Sequence, residues 1–324
     1  MKLGIVGAGM IVGDVLSFIH EIPDISLAAI CSRSGHREKL LDWQHRYGIS
    51  QIYSEYSEML MDDNVDTVYI GLPNHLHFSY AKEALLRGKH VICEKPFTSN
   101  LKEFLELKEI ALQRKRVLLE AITNQYSKNV LTMKEYLPKL GDIKIVECNY
   151  SQYSSRYDAF QAGETPPAFN PAMSGGALMD INIYNIHLVI GFFGSPGKVE
   201  YYANMERGID TSGMLMLDYG TFKCICIGSK DSTARSAMSI QGNKGYIHMP
   251  SSANICDYFE YTPNKETPIR VDHKDHPHRM FDEFAEFDRI IREQDLIKVK
   301  VMLEHSGKVM KVIDQAKQSA QMDS

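Results

Sequence analysis

The stretch Leu3–Gly13, LGIVGAGMIVG, constrains the fold of this chain more than any other. Leu3–Val6 reads as a short strand with no polar alternation. Gly7 and Gly9 follow at once, and helical spacing of apolar residues begins at Met10. The pattern then repeats. Apolar runs at Leu27–Cys31, Thr67–Leu72, His90–Cys93 and Val117–Ala121 alternate with helix-like segments at Met10–Glu21, His36–Tyr47, Leu76–Arg87 and Leu101–Lys115. Asn100 is placed to cap the last of these, with Glu103 completing a capping box. Uniformly apolar strands between amphipathic helices predict a parallel sheet covered on both faces, an α/β Rossmann-like array.

The second half differs. Asp142–Ser155 is a long strand-like run, and a helix is predicted from about Asp180. Val199–Asn204, Gly213–Asp218, Thr221–Ile227, Ser236–Gln241, Gly245–His248 and Ile255–Tyr261 follow as strands, with turn signals at DYG, GSKD and GNKG. These predict an antiparallel sheet. Two helices close the chain, near 278–293 and 299–317; Met280, Phe284, Phe287 and Ile291 share a face of the first. The expected domains are residues 1–122 and 123–324, with the closing helices packing back across the boundary.

Composition narrows the function. A net charge of −5 argues against a nucleic-acid footprint. No apolar run reaches the ~18 residues of a membrane span. MKLGIVGAG lacks the layout of a signal peptide, which points to a cytoplasmic protein. The six cysteines (Cys31, Cys93, Cys148, Cys224, Cys226, Cys256) lack metal-like spacing, so buried reduced thiols are expected. His273, His276 and His278 match no ligand spacing and read as a solvated loop; no metal is expected.

A glycine turn between the first strand and helix suits a dinucleotide. Gly7 permits the tight turn. Gly9 leaves room for a pyrophosphate at the helix N-terminus, beside Met10 and Ile11. Val12 is bulky for its place and is expected to hold helix and sheet slightly apart. The second strand ends in ICSR, with no acid to bind a ribose diol. Ser32 and Arg33 suit a 2′-phosphate, so NADP is preferred, with NAD as the alternative. The run HVICEKP delivers Lys95 to the carboxyl end of its strand, the side of the sheet where ligands bind. An ammonium there could orient a substrate hydroxyl or lower its pKa, and Pro96 would fix its direction.

GAGMI, GLPNHLH, CEKP and GGALMDINIY occur in an order and spacing that resemble the glucose–fructose oxidoreductase / inositol dehydrogenase / MocA-like (Gfo/Idh/MocA) family. The resemblance spans essentially the whole chain. It implies an N-terminal Rossmann domain and an α+β C-terminal domain with a large, open, mostly antiparallel sheet through which homodimers or homotetramers form. It implies hydride transfer between NAD(P) and a sugar, polyol or related diol. By the same resemblance Lys95 is the catalytic lysine, Glu94 contacts the cofactor, and Pro73, Asn74 and His77 touch the nicotinamide ribose. Asp180 contacts substrate, and Tyr184 falls where many members carry a catalytic histidine. A branch that includes dimeric dihydrodiol dehydrogenase carries tyrosine there, and this chain looks closest to that branch.

Helical spacing agrees: Asp180, Tyr184 and His187 lie at i, i+4 and i+7 on one face. A phenol of ordinary pKa ~10 is brought towards useful proton exchange by a nearby ammonium, so Lys95 and Tyr184 would converge on one hydroxyl. Asn182 stands where the family commonly has glycine, and its side chain is expected to narrow the pocket or approach the nicotinamide. EAITNQY lacks the family's aromatic and arginine, and Asn124 is the candidate replacement. Arg156, Tyr157 and His187 complete the candidate substrate contacts, Tyr153 standing beside them. Two other readings stay open: a redox-neutral lyase or glycosidase that uses tightly bound NAD, and a non-catalytic NAD(P)-sensing regulator.

Overall fold

The computed structural model describes residues 1–322, which fall into two compact units. The first comprises Met1–Ala121 with Met280–Glu304, and the second Ile122–Arg279 with the residues from His305 onward.

In the first unit β1 (Lys2–Val6), α1 (Met10–Phe18), β2 (Ser26–Cys31), α2 (Arg37–Tyr47), β3 (Gln51–Tyr53), α3 (Tyr56–Met61), β4 (Thr67–Ile70), α4 (His77–Leu86), β5 (His90–Glu94), α5 (Leu101–Arg114) and β6 (Leu118–Ala121) follow in order. The six strands form a parallel sheet in the order β3-β2-β1-β4-β5-β6. The order reverses at β1, so the carboxyl ends of β1 and β4 border the crevice where such sheets bind ligands. β3 and α3 are additions to the predicted array: three and six residues are too short to show a period. Asn100 caps α5 as expected, its side chain accepting from Glu103 N at 3.0 Å. Glu103 returns to Ser99 N rather than to Asn100 N, a box displaced by one residue.

The second unit contains α6 (Lys128–Tyr136), β7 (Ile143–Ser151), α7 (Tyr157–Gln161), α8 (Ile183–Phe193), β8 (Lys198–Glu206), β9 (Ile209–Asp218), β10 (Lys223–Ser229), β11 (Ala237–Gly242), β12 (Gly245–Met249), β13 (Phe259–Pro263) and β14 (Ile269–Val271). Its sheet runs β14-β13-β12-β11-β7-β10-β9-β8. Every pairing is antiparallel except β7 with β10, which is parallel. The chain leaves β7 through α7 and α8 and re-enters at the far edge as β8. Two reversals later β10 runs in the direction of β7, a non-local pairing that local turn signals do not encode. One face of the sheet is apolar and buried through Val146, Cys148, Leu215, Leu217, Cys224, Cys226, Met238 and Ile240. Asn182, just before α8, sits on this face so closely that a Cβ on Gly228 would lie 2.6 Å from its own Cβ. The apolar stretch Pro171–Phe193 is long enough to cross a bilayer, but 78% of its apolar window is buried inside the protein. All six cysteines are buried thiols.

The closing helices are α9 (Phe281–Glu293) and α10 (Leu296–Ser319). α9 belongs to the first unit, where Phe284 meets Phe18 and Tyr69 edge-on at ring-centroid distances of 5.6 and 5.4 Å. Its predicted apolar face is buried, Met280, Phe284, Phe287 and Ile291 included.

Candidate active site

The carboxyl edge of the first sheet is shaped by its glycines. Gly7 has φ +122°, and a Cβ there would stand 2.4 Å from the carbonyl oxygen of Gly71, so no other residue fits. Gly9 caps α1 with extended backbone and no side-chain cap, and nothing lies within 4 Å of the position its Cβ would take. This exposed N-terminus, with Met10 exposed and Ile11 half-buried beside it, suits a pyrophosphate. Val12 is fully buried, and a Cβ on Gly71 would lie 2.7 Å from it. A glycine at 71 thus leaves room for its bulk.

At the end of β2, Ser32 Oγ lies 3.0 Å from His36 Nδ1, and Arg33 is exposed. Lys39 donates to the Ala8 carbonyl at 2.8 Å, tying α2 to the glycine turn. At the end of β4, Pro73 is exposed and Asn74 half-buried. His77 departs from expectation: its ring is fully buried, with Nδ1 2.8 Å from Pro96 O and Nε2 2.9 Å from Leu72 O. Burial lowers its pKa. The ring therefore braces two loops from within. Glu94 is likewise turned inward and receives the Tyr69 hydroxyl at 2.7 Å. Its burial argues against a direct cofactor contact. Lys95, one residue on, is half-buried, and its peptide bond to Pro96 is cis. Behind it Phe97 is fully buried, its N–H donating to Glu120 at 3.1 Å. The end of this strand is thus divided between an inward Glu94 and a more accessible Lys95.

In the second unit, GGALMD is a tightly constrained corner. A Cβ on Gly175 would meet Pro167 O at 2.7 Å, and Gly176 has φ +104° with Asp210 Oδ1 2.0 Å from where its Cβ would be. Leu178–Asn182 form a π-helical turn that leads into α8. Asp180 is half-buried and pairs with Lys230 at 2.7 Å. Tyr184 is also half-buried, 6.0 Å from the ring of Tyr150. Asp210 accepts from Leu178 N and the Tyr201 hydroxyl, each at 2.7 Å. Desolvation raises its carboxyl to about 6.

Three of the candidate residues lie buried here. His187 is fully buried, its Nδ1 2.9 Å from His305 Nε2. The wider π turn shifts the phase between Asp180 and the rest of the helix and breaks the expected stripe. Asn124 is fully buried and donates to Tyr184 O at 2.9 Å and Ala253 O at 3.0 Å, anchoring backbone at both. Asn182 donates to Cys226 O at 3.0 Å and faces the sheet, not a nicotinamide. Arg156 is exposed. Tyr157 is half-buried and donates to Glu206 at 2.8 Å, which holds its phenol up at about 12. Sequence reading missed Lys230, because GSKD reads as a turn.

Residues 1–122 match the oxidoreductase family with an NAD-binding Rossmann fold, and residues 130–248 match the GFO/IDH/MocA C-terminal domain. The chain is 34% identical over 324 residues to scyllo-inositol 2-dehydrogenase (NADP(+)) IolU of Bacillus subtilis, covering 98% of this chain and 96% of that protein. It is 27% identical over 289 residues to trans-1,2-dihydrobenzene-1,2-diol dehydrogenase of Sus scrofa, covering 86% and 80%. A 3-ketoreductase from Actinomadura kijaniata, solved with NADP and TDP-benzene, shares the fold at a TM-score of 0.84 and 20% identity over 98% of this chain and 97% of that one.

Proposed function

Because the chain belongs to the Gfo/Idh/MocA oxidoreductase family, we propose that it oxidises a secondary hydroxyl of an inositol or related vicinal diol with NADP in preference to NAD. The coarser activity, NAD(P)-dependent dehydrogenation at CH–OH carbons of sugars, polyols or diols, follows from the family and its relatives. The observation that carries the cofactor reading is the Gly7–Gly9 cradle at the helix N-terminus, with Ser32 and Arg33 in place of an acid at the end of β2. A hydroxyl and a guanidinium match a phosphate monoester; a carboxylate there would repel it.

When bound, the nicotinamide supplies the hydride acceptor. In this reading Tyr184 takes the proton of the substrate hydroxyl as the carbon loses hydride, and returns it in the reverse reaction. The Lys95 ammonium stabilises negative charge on the reacting oxygen and lowers the cost of deprotonation. Asp180 accepts a hydrogen bond from a neighbouring substrate hydroxyl and orients the ring. A tyrosine at 184 fits the branch with a tyrosine proton donor, although the inositol dehydrogenase is the more similar of the two relatives above.

Reduced-nicotinamide absorbance tests the reading, with NADP⁺ or NAD⁺ and a panel of scyllo-inositol, other inositols, sugars and diols. Net reduction with a polyol, faster with NADP⁺, is expected. Product without net reduction would favour redox-neutral chemistry, and tight cofactor binding without turnover would favour a sensor. Lys95→Ala and Tyr184→Phe should each lower kcat by roughly 10²–10⁴-fold; unchanged turnover in both sinks the assigned roles.

We further propose that the protein self-associates through the face of the second sheet opposite α8. Tyr202, Met214 and Ile145 are exposed there among the charge pairs Lys198–Glu200 and Lys223–Asp218, so two copies can match apolar surface.

A further inference from the structure

We infer that Lys230 is a positioning residue for Asp180, and this rests on the role proposed above for Asp180. Lys230 follows β10, where its backbone N–H donates to Thr211 O at 2.8 Å and its carbonyl accepts from Ser154 N at 2.9 Å. The backbone is thereby fixed from both sides. The side chain is 2% exposed, yet it carries an ammonium. Its Nζ lies 2.7 Å from Asp180 Oδ2 and 2.6 Å from Ala168 O, and 4.5 Å from the ring centroid of Phe169. A carboxylate, a carbonyl and an aromatic face thus surround one buried charge.

The asymmetry of the pair is what makes it functional. Asp180 is 35% exposed and Lys230 2%, so the acid is the accessible end and the base its buried anchor. A lysine used only for stability would gain more from a solvated head, since burying an ammonium is costly unless it is fully paired. Here the anchor fixes the acid on the π turn one residue after Met179, and Ala168 O accepts from Gly176 N at 3.1 Å as well as from Lys230. One ammonium therefore holds together the turn that carries Ala168, the glycine corner and the carboxylate. The chemical consequence is that the Lys230 contact gives the Asp180 carboxylate a fixed direction, from which its accessible side can receive a hydrogen bond from a substrate hydroxyl.

The test compares wild type, Lys230→Met, Lys230→Arg, Asp180→Asn and the Lys230→Met/Asp180→Asn double variant. The probes are NADP⁺ and scyllo-inositol, or the best polyol of the panel. Lys230→Met should lower kcat/KM for the polyol by roughly 10- to 100-fold, the range expected when a reacting group is misplaced. NADPH affinity by fluorescence should stay unchanged. Lys230→Arg should recover part of the loss. The double variant should be little worse than Asp180→Asn alone, because the lysine acts through the acid. A lysine of merely structural value would cost the same in both backgrounds and would weaken NADPH binding in parallel with melting temperature. Full polyol turnover in Lys230→Met, or additive losses in the double variant, overturns the inference while the enzyme reading stands. A wild type that neither binds nor oxidises any polyol overturns both.

Discussion

Asp210 has a carboxyl held at about 6, with burial the first cause. Its ionisation is opposed in the folded state, and the sign follows. Below its unfolded value, 3.8, the group is protonated in both states and costs nothing. Between there and about 6 the unfolded chain loses the proton first, so stability falls as pH rises. Above about 6 the full penalty applies, on the order of 3 kcal/mol for a shift of about two units. Urea melts of wild type from pH 4 to 7 should show this decline, and Asp210→Asn should flatten it; an equal slope in both would refute the attribution. Gly7→Ala is the matching steric test. Its Cβ would meet Gly71 O at 2.4 Å in a backbone conformation alanine resists, so NADP⁺ affinity should fall and the melting temperature with it. Retained affinity would mean that the turn relaxes at little cost. Gly7 could be read directly from its sequence context. Asp210 could not, because GIDTSG looks like any strand entry until the fold buries it beneath Gly176.

α8 and its π turn show where sequence periodicity stops. A motif singles out Asp180 and Tyr184 as candidates. The π turn breaks the 3.6-residue period only between Asp180 and α8; within α8 His187 still follows Tyr184 by three residues, and its burial against His305 is set by a contact 118 residues away. The direction of Asn124 was illegible for the same reason: its partners, Tyr184 O and Ala253 O, are 60 and 129 residues away in sequence. Gln125 continues the anchor, donating to His187 O at 2.9 Å. Removing the Asn124 amide takes one donor from each of two carbonyls, Ala253 O keeping the Cys256 thiol, at a cost of about 1–2 kcal/mol. If the anchor also sets the placement of Tyr184, Asn124→Ala should lower kcat more than it raises KM, with NADP⁺ binding intact. A loss of stability with unchanged kcat would restrict Asn124 to the scaffold. The parallel pairing of β7 and β10 was hidden in the same way: each hairpin is local, but the join between them depends on where the chain re-enters the sheet.

The proposed assembly depends on a face that no single strand defines. Along β9 the buried Leu215 and Leu217 alternate with Met214, Met216 and Asp218. Register sets Met214 beside Tyr202 on β8 and Ile227 on β10, and Lys223 beside Ile145 on β7. The alternation therefore gives an apolar row across three strands, Tyr202, Met214 and Ile227, that meets Asn149 on β7, with Tyr202 57% and Met214 48% exposed; Ile145, 49% exposed, lies four residues along β7 beside Lys223. Single exposed apolar residues need no explanation, but a contiguous strip does. Its charges are already paired within the face, Lys198 with Glu200 at 2.7 Å and Lys223 with Asp218 at 2.8 Å, so a second copy would bury neutral pairs and not isolated ions. A stable two-fold contact needs about 800 Å² from each partner, an area within reach of four long strands. One carboxylate at the centre of such a contact would be duplicated by symmetry and left unpaired in each copy. Met214→Asp should thus convert the assembly to monomer in sedimentation equilibrium, while Glu266→Gln, on an exposed loop outside the strip, should leave it intact. Wild type sedimenting as a monomer at tens of micromolar would remove the proposal. A Met214→Asp variant that stays associated would move the contact to another face.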